Sequence, residues 1–108
     1  MAPHMENVQT IGQIKDRLSR EEIVILLIKS ENCSVCDAIE NQIKDGAIKD
    51  NSVPVIKAKL EDAPEISGEF LTFTSPTILL FINNKEHWRA SRFIPFDDLN
   101  KHIDFWKT

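Results

Sequence analysis

No run of apolar residues in this chain of 108 is long enough to cross a bilayer. The longest uninterrupted ones, residues 23–28 and 78–82, fall far short of the roughly 20 residues a spanning helix needs. No basic segment followed by an apolar one opens the chain, so no secretory signal is visible and the cytoplasm is the expected compartment. A basic stripe is missing too. Acids and bases are interspersed and sum to a formal charge of −4, which argues against a nucleic-acid footprint. There is no low-complexity tract, internal repeat or linker. One domain is expected over residues 5–108, with Met1-Ala2-Pro3-His4 read as a cloning remnant ahead of a natural start at Met5. Cysteine is scarce as well: Cys33 and Cys36 are the only two.

Those two stand where the sequence changes character. Before them lies Ile23-Val24-Ile25-Leu26-Leu27-Ile28, apolar at every position, as in a strand buried on both faces. After them, Cys36, Ile39 and Ile43 repeat at spacings of three and four, which predicts a helix over residues 33–44. Cys33 thus falls at the start of a helix, and Cys36 one turn further in on its apolar face. The free N–H groups and positive dipole end favour a thiolate on Cys33. That pattern suits thiol–disulfide exchange, with Cys33 attacking and Cys36 resolving. Two other readings stay open at this point. The pair could be small buried hydrophobes. It could also be half of a zinc site, but zinc needs two more ligands, and His4, His87 and His102 are scattered singly.

The remaining elements follow from periodicity and capping. Asn7-Val8-Gln9 suggests a short first strand. Thr10 with Gln13 forms a capping box for a helix over residues 11–19. Gly46 ends the second helix. Residues 53–60 alternate, with Ile56 and Ala58 opposite Lys57 and Lys59, as a strand does. Asp62 is a candidate cap for a short helix beginning near Ala63-Pro64. Thr77–Ile82 reads as a second buried strand, Asn83-Asn84 as a tight hairpin, and residues 86–93 as an antiparallel edge partner. Pro95 opens a last helix with Phe96, Leu99, Ile103 and Trp106 as its buried stripe, and core packing is expected for both Trp88 and Trp106.

This order, with Cys33-Ser34-Val35-Cys36 opening the second helix and Ser75-Pro76-Thr77 ahead of the fourth strand, resembles the thioredoxin family. The resemblance covers nearly the whole chain from about Val8. It implies an α/β thioredoxin fold: a central mixed β-sheet in the order β-α-β-α-β-α-β-β-α, with helices on both faces. It implies that Pro76 is cis and lies against the cysteine pair. By the same resemblance the backbone of Ser75 pairs with a substrate peptide, and Ser34 and Val35 border it. The sequence departs from thioredoxin in several places. Ser34-Val35 replaces Gly-Pro, Asn32 stands where thioredoxin has tryptophan, and Arg92 lies close to a glycine position. Leu27 stands where thioredoxin has a buried acid that helps move the proton on Cys36. Lys57, near the family's lysine, is thereby expected to lack a partner.

The function implied is a disulfide oxidoreductase that reduces protein disulfides in the cytoplasm. Its partners would be disulfide-containing proteins and an external thiol reductase or small thiol. The reading needs no metal or organic cofactor, and a monomer is expected. The missing acid at Leu27 and the altered dipeptide favour a rival reading, a binding or redox-sensing module without efficient turnover. Sequence neighbours of the pair are mostly acidic: Glu31, Asp37 and Glu40, against Lys29. Like charges oppose ionisation, so only a moderately lowered thiol pKa is expected at Cys33. The disulfide is then expected nearer about −270 mV than about −120 mV.

Overall fold

A computed structural model describes residues 5–107, and the proposed cloning remnant lies outside them. Among the described residues the order is β1 (Met5–Asn7), α1 (Ile11–Arg20), β2 (Ile23–Lys29), α2 (Ser34–Lys44), β3 (Val55–Lys59), α3 (Ile66–Phe70), β4 (Thr77–Ile82), β5 (Lys85–Ser91) and α4 (Phe96–Lys107). The strands form one sheet in the order β1-β3-β2-β4-β5. β3 runs parallel to both β1 and β2, whereas β4 is antiparallel to β2 and to β5.

The all-apolar run in β2 is explained by its central place. Ile23, Ile25 and Leu27 face one core, with Ile39 and Ile43 of α2 and Leu99 and Ile103 of α4. Val24, Leu26 and Ile28 face the other, with Ile14 and Leu18 of α1 and Ile66 of α3. Leu27 has no exposure. Each such side chain contributes about 1.5–3 kcal/mol on leaving water, so β2 anchors the fold from which the cysteine loop projects.

Local chemistry sets most element ends. Thr10 and Gln13 make the expected capping box on α1. Gly46 takes a φ of +97° just past α2, where an L side chain would be strained. Asn83 and Asn84 both take positive φ in the β4–β5 hairpin, as a two-residue turn matching strand twist requires.

Several expectations need correction. β1 ends at Asn7; Val8 is buried and donates its N–H to the Lys57 carbonyl at 2.9 Å without continuing the strand. β3 starts at Val55, because Pro54 has no N–H for the ladder. Asp62 is not a cap: it lies in a turn, and α3 begins at Ile66 after Glu65. β5 stops at Ser91, since Arg92 turns with a φ of +64°. Trp88 packs half-buried against the core, but Trp106 is 41% exposed, with its ring 5.5 Å from that of His87 on the edge strand and tilted by 54° to it. It sits in the last turn of α4.

Candidate active site

The chain leaves β2 at Lys29 and turns through Asn32, whose φ of +54° is a conformation asparagine tolerates better than most residues. Cys33 follows as the N-cap of α2, one position earlier than a helical residue. Its sulfur accepts the backbone N–H of Cys36 at 3.1 Å. Capping by a side-chain acceptor satisfies one of the orphan donors of the first turn, and an ionised sulfur accepts such a bond more strongly than a neutral one. Cys33 and Cys36 are joined in a disulfide across that turn, with Cα atoms 5.2 Å apart. Cys33 is partly exposed and Cys36 wholly buried.

A cleft of about 320 Å³ opens on the Cys33 side, lined by Ser30, Asn32, Cys33, Ser34, Val35, Ser75 and Arg92. The Ser75–Pro76 peptide is cis, and Pro76 is buried. Two bonds tie this loop down. The Ser75 and Ser30 hydroxyls lie 2.6 Å apart, and the Pro76 carbonyl accepts the Arg92 N–H at 2.8 Å. Of the site residues expected from the sequence, Cys33, Ser34, Val35 and Ser75 line this one cleft, whereas Cys36 and Pro76 are buried and do not line it. Ser30 was missed. Its partner is 45 positions away, and no local pattern marks it.

Further along α2 an ionic cluster gathers around Glu40. Glu40, one helical turn after Cys36, places its two carboxylate oxygens 2.5 Å from Lys29 Nζ and 2.7 Å from Lys57 Nζ. Their side chains are only 11%, 18% and 13% exposed, respectively. Lys44 approaches Glu40 at 3.5 Å from the surface. Burial works against ionising Glu40, but the hydrogen bonds and charges of Lys29 and Lys57 outweigh it and hold the carboxyl down at about 2. Lys57 therefore does have an acidic partner, supplied by α2 and not by β2, where Leu27 lies in register with it. No group of three or more histidine, cysteine or acidic side chains suited to a metal is gathered among the described residues.

No family model matches the chain. It is 25% identical over 99 residues to thioredoxin-like protein YdfQ of Bacillus subtilis (strain 168), covering 92% of this chain and 88% of that one. Among solved structures, a mutant thioredoxin from Halobacterium salinarum NRC-1 superposes with a TM-score of 0.84 at 17% identity, over 100% of this chain and 96% of its own. A Plasmodium falciparum thioredoxin gives 0.79 at 17% identity, over 94% and 98%. The sheet, the four helices around it and the bridged cysteine pair have the thioredoxin fold. In sequence the chain is similar to that bacterial thioredoxin-like protein, and in fold to thioredoxins.

Proposed function

We propose that this protein is a thiol–disulfide oxidoreductase that reduces protein disulfides in the cytoplasm. One observation carries the reading: a bridged pair at the first turn of α2, with Cys33 open to a cleft and Cys36 closed off behind it. Cys33 is the attacking thiolate, supported by the Cys36 N–H and the helix N-terminus. It attacks a substrate disulfide and forms a mixed disulfide. Cys36 then attacks Cys33, restoring the internal disulfide and releasing the substrate as a dithiol. The two electrons come from an external thiol reductase or a small thiol. Ser34, Val35 and the backbone of Ser75, with Pro76 beneath, are the substrate-binding groups of this reading, and the working unit is a monomer.

Insulin turbidity tests it. In excess dithiothreitol, catalytic amounts of the protein should accelerate precipitation of the reduced insulin chains, and Cys33→Ser should abolish the acceleration. Reversible oxidation of the pair without acceleration favours the rival, a redox-sensing or binding module, which the apolar Leu27 supports.

A further inference from the structure

Four arginines occur in the chain, and three are held by acids: Arg17 by Glu6 and Glu21, Arg20 by Asp16, and Arg89 by Glu86. Arg92 makes no ion pair among the described residues. It is also the one charged residue on the lining of the cleft that opens on Cys33. Its backbone φ of +64° lies in the left-handed region that favours glycine. The Phe93 N–H closes a three-residue turn around it, bonding the Ser91 carbonyl at 2.7 Å, and such turns are rare at positive φ. The Arg92 N–H is held by the Pro76 carbonyl at 2.8 Å, and the Ser91 and Thr77 hydroxyls lie 2.9 Å apart. The side chain therefore starts from a fixed point at the cleft. Glycine there would avoid the strain, so the arginine side chain is the feature that calls for a role.

The rest of the lining decides what that cation can meet. Ser30, Asn32, Ser34 and Ser75 are polar and uncharged, the Ser30 and Ser75 hydroxyls bond to each other at 2.6 Å, and Val35 is apolar. No carboxylate lines the cleft; of the nearby acids, Glu31 pairs with Lys59 at 3.4 Å, and Asp37 is exposed. A guanidinium offers its N–H donors as a fork, which a carboxylate fits with two hydrogen bonds. The whole chain is at −4, so its long-range field does not draw in an acidic partner, and the attraction is made at contact.

We infer that Arg92 is a specificity-determining residue that selects substrate disulfides carrying an acidic side chain beside the cysteine that Cys33 attacks. The inference rests on the proposed function and names its substrate class. As the Cys33 thiolate bonds to one substrate sulfur, the other leaves with the electron pair and takes up a proton. The guanidinium holds the neighbouring carboxylate and keeps the disulfide over the cleft. A basic side chain in that place is repelled.

Single-turnover exchange tests this. The reduced protein, in excess, is mixed with one of three disulfide-bridged peptides that differ only at the residue following each cysteine: Glu, Gln or Lys. Cys33 and Cys36 supply the two electrons, so no recycling reductant is needed. Acid quenching and mass analysis follow the peptide dithiol. Comparing protein variants on the same peptides cancels the peptides' own reactivity. The Glu-to-Lys ratio of rates should be about three- to fivefold higher in the parent than in Arg92→Gly, a substitution that suits the positive φ. Arg92→Lys should keep most of the preference, and Arg92→Glu should fall below Arg92→Gly. The Gln peptide should change by about twofold at most, and 1 M salt should bring the parent ratio toward that of Arg92→Gly. An unchanged ratio in Arg92→Gly, with circular dichroism showing an intact fold, would overturn the inference even where insulin is reduced. An equal loss on all three peptides would also overturn it, since Arg92 would then act on Cys33 and not on the substrate. The expected ratios without catalytic insulin reduction would instead count against the proposed function alone.

Discussion

The two sulfurs lie three residues apart, yet their surroundings are opposite. Cys33 faces an open, polar cleft whose nearest cation, Arg92, is exposed. Cys36 has no exposure, one helical turn before Glu40, which is held by Lys29 and Lys57. One sulfur is open to the cleft; the other is closed off from solvent. A single turn of helix suffices for the separation, because the first residue of a helix end projects outward while the residue three further on lies on the buried stripe.

The sharpest way to break this contrast is chemical labelling. In the reduced protein at neutral pH, iodoacetamide should modify Cys33 on the order of a thousandfold faster than Cys36, because the thiolate must be both formed and exposed. Mass mapping of peptides from a time course reads the ratio. Comparable rates, or faster labelling of Cys36, would remove the distinction on which both roles depend.

Acid stability probes the buried side next. The Glu40 carboxyl titrates at about 2 in the folded chain against an ordinary value of 4.5. Because folding lowers it, the stabilisation is whole above about pH 5 and is lost as pH falls toward 2, at most about 3 kcal/mol. Urea unfolding across that range should lose stability steeply in the parent protein and less steeply in Glu40→Gln. Asp50, also held at about 2 by hydrogen bonds from Lys107 and Ser52, is far from the cysteines in sequence and leaves a residual slope. An unchanged slope in Glu40→Gln would mean that the cluster does not gain from folding.

How much of this was legible beforehand depends on the range of the interaction. Local signals carried well: the Thr10 and Gln13 capping box, the Asn83-Asn84 hairpin and the 3.6-residue stripe through Cys36, Ile39 and Ile43. The resemblance supplied Pro76, which composition alone would leave as an ordinary strand opening. Long-range polar contacts did not carry. Ser30 meets Ser75, and Glu40 meets Lys29 and Lys57, across separations of 45, 11 and 17 residues. Side chains on different elements leave no period in the sequence. Glu40 was therefore read as one more acid near the pair, when the fold neutralises it.

The smallest expected effect concerns Cys33, where counting charges along the chain and counting them in space disagree. By sequence, Glu31, Asp37 and Glu40 oppose its ionisation. In the fold, Glu31 pairs with Lys59, Glu40 is held by two lysines, and Arg92 lines the same cleft as Cys33. Asp37 remains, in the first turn of α2, where it is exposed and its N–H bonds to the Cys33 carbonyl at 3.1 Å. Exposed charges act through water and are screened within about 10 Å at 0.1 M salt. Arg92→Ala should therefore raise the Cys33 thiol midpoint by only a few tenths of a pH unit, and Asp37→Lys should lower it by a similar amount. Both shifts should shrink in 1 M salt. Iodoacetamide rates against pH measure them directly. With so little net bias, the reduced form gains little beyond the helix end itself, and equilibration with a thiol buffer should place the disulfide nearer about −270 mV than about −120 mV. A response to Asp37→Lys much larger than that to Arg92→Ala would show that neighbours in the chain govern Cys33 after all. A strongly oxidising potential would assign the control to Arg92.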